Sequence, residues 1–551
     1  LFIFMIVNQE EINDNKTYIA DLCLIGSGPA SLTILDQLKK TKLKIIIIPG
    51  GKFHFDKNNQ KLYKGIVGKG TYHEPLIKNR YREFGGTGNY WGGRCVPFDK
   101  IDFEKRSWIK NSGWPIRFNE IKKFYKQASN FLNISAYNEK TNFYKKNIKE
   151  IIEKIDGKFL SSKKLESWSP ILSFKKKFLK TIKKGNIALI DNSHLIKIDA
   201  DKKEVTNLIC KSLDKVFKVK CKTYVLACGG IENPRILLNS KNKFHPKGIG
   251  NANDLVGRFY MSHHAGIFLN LNPFNRKNIF YNYLKDSNGI YQRSRWWLND
   301  KFQKKKRVGN AIFFLSYTAN SKDMGAQGRL FELVKLSKQI ISNKKNIFNF
   351  KIIKQIIKIL FNLSIIRYAV MYSYLRLKKN RIPSVLPDLN SKYFGIYHQI
   401  EQTPCYNSQI KLDKKKDILG QQLVKLNLRF NSIDFKTVLK SHEYLIKRIK
   451  ILKIGDLQKK YNKKILMQLF KNRINNNFNS MAHHIGTTRM GSSNKNGVVD
   501  KNCKVFGINN LFIAGSSVFP TSGHANPTFT IVALSLRLSK LLKKIYNVKK
   551  I

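Results

Sequence analysis

The chain has 551 residues, long enough for two domains with sizeable cores, and its 42% hydrophobic share is ordinary for a globular protein, which excludes a disordered chain. Its 102 Lys+Arg against 36 Asp+Glu leave a net charge of +66, yet the lysines are spread among Ile and Asn instead of forming one face, and no zinc-finger or RNA-recognition signature accompanies them. Seven cysteines, an odd count without a C-x-x-C, point to reduced thiols and a cytoplasmic protein and away from a disulfide scaffold.

The opening run Leu1-Phe2-Ile3-Phe4-Met5-Ile6-Val7 has no basic leader and runs into Glu10 and Glu11, so no signal peptide is expected, and Met5 is a candidate start. The first patterned stretch extends from Asp21 to Leu38. An apolar run breaks into Gly26-x-Gly28-x-x-Ser31 and then into a helical pattern, which reads as strand, tight turn and helix. In a dinucleotide-binding βαβ unit Gly26 allows the sharp turn, Gly28 lets a pyrophosphate approach the backbone, and the helix N-terminus faces the phosphates; Ser31 stands where a third glycine is usual. Leu43 to Ile48 is a continuous apolar run suited to a buried parallel strand, closed by Pro49-Gly50-Gly51. The acidic residue that would end this strand and hold the ribose hydroxyls is absent. Ile48 and Pro49 stand there, and no acid follows until Asp56.

Arg82 to Cys95 carries five glycines around Tyr90 and Trp91, a composition that suits neither a regular helix nor a central strand and that lets main chain press against a flat ligand. Ser112-Gly113-Trp114-Pro115 is a second turn, and Asn119 to Leu132 is helical in its apolar spacing. Alpha/beta character returns from Ile187 to Ser240, where the strand-like Tyr224-Val225-Leu226-Ala227 runs into Cys228-Gly229-Gly230. A glycine pair at a strand's carboxyl end is where an open α/β sheet binds ligands. Residues 266–478 are mixed strands and basic helices, including an amphipathic stretch from Leu333 to Lys379 that its lysines interrupt too often for a membrane span. The last segment is dense in signal again: His483-His484-Ile485-Gly486-Thr487, the strand Leu511 to Ala514 ending in Gly515, and Asn526-Pro527-Thr528 opening an apolar helix through Leu541. The late strand rebuilds the ligand-binding edge, so the nucleotide domain is discontinuous.

In the order and content of these motifs the chain resembles the glucose-methanol-choline (GMC) family of FAD-dependent oxidoreductases, closest to its bacterial alcohol and sugar dehydrogenase-like members. The resemblance covers nearly the whole length. It implies an α/β fold (α+β overall), with a discontinuous Rossmann-like FAD-binding domain over 18–115, 187–265 and 480–551. A substrate domain with a sheet and helices would occupy 116–186 and 266–479. It implies FAD, bound by Gly26, Gly28, Ser31, Gly86, Thr87, Asn89, Trp91, Gly92, Gly93, Ala227, Gly229, Gly515, Ser516, Pro527 and Thr528, and no metal. His483 matches the family's active-site histidine and Asn526 its second active-site position, with His484 and His524 ranked below them. The implied reaction oxidises the CH-OH group of an alcohol, polyol or sugar, passing hydride to the flavin and electrons on to an unidentified acceptor. Two departures from the family pattern are Ile48 in place of Glu, which leaves the ribose contact open, and Gly88 where many members have Ser. The alternatives are a redox-neutral FAD enzyme like the hydroxynitrile lyases and, from the charge alone, a nucleic-acid binder. No specific nucleic-acid partner is expected. A peripheral membrane contact through the basic helices stays open.

Overall fold

A computed structural model describes residues 6–135, 157–171, 173–182, 186–274, 284–316, 392–476 and 482–548, with three isolated positions between 316 and 392. The amphipathic stretch from Leu333 to Lys379 lies outside the described residues, the isolated positions aside.

The first strand, β1 (Thr17–Ile25), is buried over its last four residues and ends at Gly26. The helix α1 (Pro29–Leu38) starts on Gly28 with Pro29 at its first position, where the missing N–H of proline costs nothing. The second strand, β2, is four isoleucines, Ile45–Ile48, all buried, as befits a parallel strand covered on both faces. Next in the nucleotide-binding unit come β3 (Lys215–Leu226) and α2 (Gly229–Asn239), and from the far end of the chain β4 (Leu511–Ile513) and α3 (Pro527–Ile545).

These elements share one sheet. Its parallel part runs Ile6–Val7, Ile187–Ile190, β2, β1, β3, with β4 added in parallel to the carboxyl half of β3 through the pairs Tyr224 with Leu511 and Leu226 with Ile513. The amino half of β3 instead continues antiparallel into Val205–Ser212 and His194–Ala200. A strand from the last eighth of the chain therefore sits beside one from the middle, and their carboxyl ends open on the same side as that of β1. Helix α3 packs on α1 and on Phe118–Phe131, where Tyr125 Oη lies 2.9 Å from Thr530 Oγ1.

A second, antiparallel sheet runs Gly455–Leu457, His263–Pro273, Phe394–Glu401, Ala311–Ser316, Tyr291–Leu298, Leu160–Trp168 and Arg94–Cys95. Side chains alternate across it. Leu269, Phe313, Ile396 and Ile400 join the helices Ser432–Ile451 and Lys463–Asn476 in one apolar cluster, while Gln399, Arg293 and Glu166 point to the opposite face. A third, three-stranded sheet pairs Gly65–Val67 with Gln422–Asn427 and Gln409–Lys416. Strands from the expected first nucleotide-binding segment, Arg94–Cys95 and Gly65–Val67, thus hydrogen-bond with strands from the expected substrate segments. All seven cysteines are unpaired, and no helix among the described residues is long and apolar enough to cross a membrane.

Candidate active site

The carboxyl ends of β1, β3 and β4 line one cleft, with the N-termini of α1, α2 and α3 around it. Its glycines divide by function. Gly26 has φ +94°, and a Cβ there would fall 2.6 Å from the carbonyl oxygen of Ala227, so the glycine lets β1 turn against β3. Gly28 is different: its φ of −77° suits any residue, and a Cβ would meet nothing within 4 Å. Gly229 and Gly515 are likewise open above the Cα. Bare backbone at three strand ends, together with three helix N-termini, is a cradle for a pyrophosphate-bearing ligand.

Thr87, Gly86 and Trp91 line the cleft from the glycine loop, and Ala227, Ser516, Pro527 and Thr528 from the strand ends and α3. Trp91 is fixed by its Nε1–H, which donates to the Ile171 carbonyl at 3.0 Å. Other expected cofactor residues lie off the lining. Ser31 is fully buried, its Oγ without a hydrogen-bond partner. Asn89 braces the loop from behind, donating to Glu83 Oε1 and the Phe84 carbonyl and accepting from Lys175 N. Gly92 and Gly93 carry the chain from Trp91 into Arg94–Cys95.

His483 lines the cleft and follows Ala482, whose φ of +59° places a non-glycine residue in the left-handed region, a local strain of the kind found where a side chain must be aimed. Its Nδ1 lies 2.8 Å from Nδ1 of His263, and Nε2 of His263 lies 3.2 Å from the Ser522 carbonyl. A carbonyl only accepts, so His263 carries its proton on Nε2 and its Nδ1 must be the acceptor. His483 then donates from Nδ1, which leaves the lone pair on its Nε2. Burial, with His263 and Arg94 nearby, holds the His483 pKa well below 6.5, and burial holds that of His263 at about 3. Both rings are neutral.

Asn526 caps α3, and its Oδ1 accepts from Gln399 Nε2 at 3.2 Å. Gln399 Oε1 in turn accepts from Arg94 Nη1 at 2.8 Å, and Arg94 Nε is 2.5 Å from Glu166. With its oxygen engaged, the Asn526 amide retains its N–H donors. The two expected catalytic residues thus share one neighbourhood: His483 reaches Ser522 through His263, and Asn526 lies four residues on. His484 also lines the cleft, with its carbonyl against Gly230 and its ring stacked near Tyr260. His524 is engaged at both nitrogens, by Arg295 Nη1 at 3.2 Å and Asp99 Oδ2 at 2.9 Å, so it belongs to a buried polar network. His263 and Gln399 carry no motif. Each emerges from the alternation of an antiparallel strand, far in sequence from the residue it orients.

Buried neutral histidines also tie stability to pH. Burial lowers the pKa to about 4 for His73, His442 and His524 and to about 3 for His194 and His263. The unfolded chain protonates these rings near pH 6.5 while the fold keeps them neutral to about pH 4. Stability is therefore lost as pH falls through that window, by about 1.4 kcal/mol per pH unit for each proton bound only by the unfolded chain. Asp434, raised to about 7 by burial, acts in the opposite sense, as do the raised carboxyls of Asp102, Asp191 and Asp300, but these are fewer than the buried histidines. The melting temperature is expected to fall steadily from pH 6.5 to about pH 4; a flat profile would show that these rings are not held neutral.

A mostly parallel sheet of the dinucleotide-binding kind thus carries the cleft, and an antiparallel sheet meets it where His263 and Gln399 contact His483 and Asn526. Residues 404–535 match the family model described as GMC oxidoreductase. The large subunit of fructose dehydrogenase from Gluconobacter japonicus is 39% identical over 77 residues, 14% of this chain and 14% of that protein. The 2-methyl-1,2-propanediol dehydrogenase of Mycolicibacterium austroafricanum is 44% identical over 46 residues, 8% of each. The matched stretches span at most about one seventh of these relatives. Solved structures of similar fold include formate oxidase, at TM-score 0.55 and 14% identity over 97% of this chain and 100% of that one. Another is pyridoxine 4-oxidase from Mesorbium loti, at TM-score 0.54 and 12% identity over 95% and 99%. The family match lies in the last third of the chain, within residues 404–535, and the solved structures share the fold over nearly its whole length.

Proposed function

We propose that the protein oxidises the CH-OH group of an alcohol, polyol or sugar to a carbonyl. The observation that carries this reading is the contact chain from the Ser522 carbonyl through His263 to Nδ1 of His483, which assigns the lone pair to Nε2 at a cleft whose residues fit FAD. FAD, when bound, supplies the acceptor for the hydride that leaves the substrate carbon. The residues of the chain do the rest. His483 Nε2 takes the hydroxyl proton, and its Nδ1–H stays on His263, so the ring is held in place as it becomes charged. The amide N–H of Asn526 donates to the substrate oxygen as negative charge builds there, its orientation set by Gln399 on the carbonyl side. Pro527 and Thr528 at the N-terminus of α3 place positive potential on the cleft, where negative charge would be favoured. The names of the relatives, a fructose dehydrogenase and a propanediol dehydrogenase, agree with a hydroxyl-bearing substrate.

The test is the visible spectrum of the purified protein, followed without oxygen while sugars, polyols and aliphatic alcohols are added. Bleaching of a flavin band by one of them supports the reading. A yellow protein that none of them bleaches points to redox-neutral chemistry. Asn526→Ala is expected to slow that bleaching by about 10²- to 10³-fold, the usual loss for one donor to a developing oxyanion. Unaltered bleaching would remove Asn526 from the site.

A further inference from the structure

In the nucleotide-binding unit the ribose is held at the end of the second strand, where a carboxylate accepts its hydroxyl hydrogens. Here β2 ends in Ile48, followed by Pro49 and Gly50, all three on the cleft and none able to take that role by side chain. Another residue has come to the same place. A Cβ built on Gly50 would lie 3.9 Å from Nη2 of Arg82, and the main chain of Arg82 is pressed so closely on Gly51 that a Cβ there would be 2.4 Å from its carbonyl oxygen. The backbone N–H of Arg82 is fixed as well, donating to Gln60 Oε1 at 3.0 Å. Arg82 lines the cleft with its side chain only 10% exposed.

The guanidinium is poorly matched by the protein. Glu232 is held by Arg80 Nη1 at 2.9 Å and by Arg235 Nη1 at 3.3 Å, while Arg82 Nη1 stays 3.7 Å away, beyond hydrogen-bond reach. Arg235 also binds Asp417, so three guanidiniums share two carboxylates and Arg82 is the surplus cation. Its Nη2 has a 3.4 Å contact to His194 and the guanidinium lies over the Tyr63 ring at 5.0 Å, but its Nε is buried without a hydrogen-bond partner. A buried charged N–H left without a hydrogen-bond acceptor is costly, and a ligand oxygen placed there relieves the cost.

We propose that Arg82 replaces the missing acid at the ribose of FAD, its Nε–H donating to a ribose hydroxyl oxygen beside Gly50. The inference rests on the FAD reading above. It has a consequence that a carboxylate would not give. An acid at this position repels a phosphate on the ribose, whereas arginine welcomes it. The cleft should therefore accept an adenosine phosphorylated on its 2′ oxygen in preference to plain 5′-AMP.

The test measures FAD dissociation from the holoenzyme by flavin fluorescence, with 5′-AMP and adenosine 2′,5′-bisphosphate as competitors. In the wild type the bisphosphate is expected to displace FAD at lower concentration. Arg82→Gln should weaken FAD by roughly 10- to 100-fold, the range for a hydrogen bond to a charged group, and abolish the preference; Arg82→Lys should keep part of it through its charge. Wild-type preference for 5′-AMP, or equal FAD affinity in Arg82→Gln, overturns the proposal. Should Arg82→Gln show no cooperative melt, the wild-type competition decides alone. A colourless wild type that takes up no added FAD defeats the flavin reading itself, and the Arg82 assignment with it.

Discussion

His483→Ala is expected to slow anaerobic bleaching of the flavin by about 10²- to 10⁴-fold while the protein keeps its FAD, the usual contribution of one general base. The expectation rests on the chain from Ser522 through His263 to Nδ1 of His483, which leaves Nε2 as the unprotonated nitrogen. Because burial keeps the His483 pKa well below 6.5, the base stays unprotonated as the medium is acidified, so the wild-type rate should show no loss on passing from pH 7.5 to about pH 6. His484→Ala is the control: its ring is stacked near Tyr260 and its carbonyl abuts Gly230, and its bleaching rate should stay within about tenfold of wild type, well short of the loss of a base. His524→Ala is a poorer control, since it strips partners from Arg295 and Asp99 in a buried network and should cost stability before it costs rate. Stopped-flow bleaching with whichever alcohol reduces the wild type separates these variants. A crippled His484→Ala beside a normal His483→Ala would move the base one residue along the chain.

What the sequence reveals of this site is its local part. The four isoleucines of β2, the turn at Gly26 and the proline-led starts of α1 and α3 are written in consecutive residues, and the structure places them within a residue or two of the expected bounds. The small misfits have local causes. The strand begins at Ile45 and not at Leu43: at Lys44 the carbonyl already accepts from Leu22 N, but the N–H turns to the Asp21 side chain. The illegible part is the set of residues that orient the others. His263-His264 and His483-His484 look alike as doublets, and only strand alternation separates the first pair: His263 turns to His483, while His264 turns to His398 and Phe470 on the far face. Nothing in the residues around Gln399 announces that it will hold Asn526, 127 positions away. Arg82 stands next to the glycine loop in the sequence, but its value as a ligand group depends on how Arg80 and Arg235 divide Glu232, a matter of packing alone.

Gly28→Val is expected to give a folded protein without colour. Gly28 has extended backbone that valine adopts readily, and the space above its Cα is empty of protein, so the fold loses nothing when a side chain is added. That same space is where the pyrophosphate must approach the backbone and the first turn of α1, and a branched side chain fills it. Gly26→Val is the opposite case. Its φ of +94° and the 2.6 Å approach to the Ala227 oxygen mean that a side chain there forces β1 and β3 apart, so this variant should fail to fold at all. The pair separates cofactor loss from collapse: circular dichroism and a melting curve report the fold, and the absorbance ratio of flavin to protein reports occupancy. If Gly28→Val melts like the wild type and still carries a full complement of FAD, the pyrophosphate does not lie at this turn, and the cradle at Gly229 and Gly515 must hold it instead.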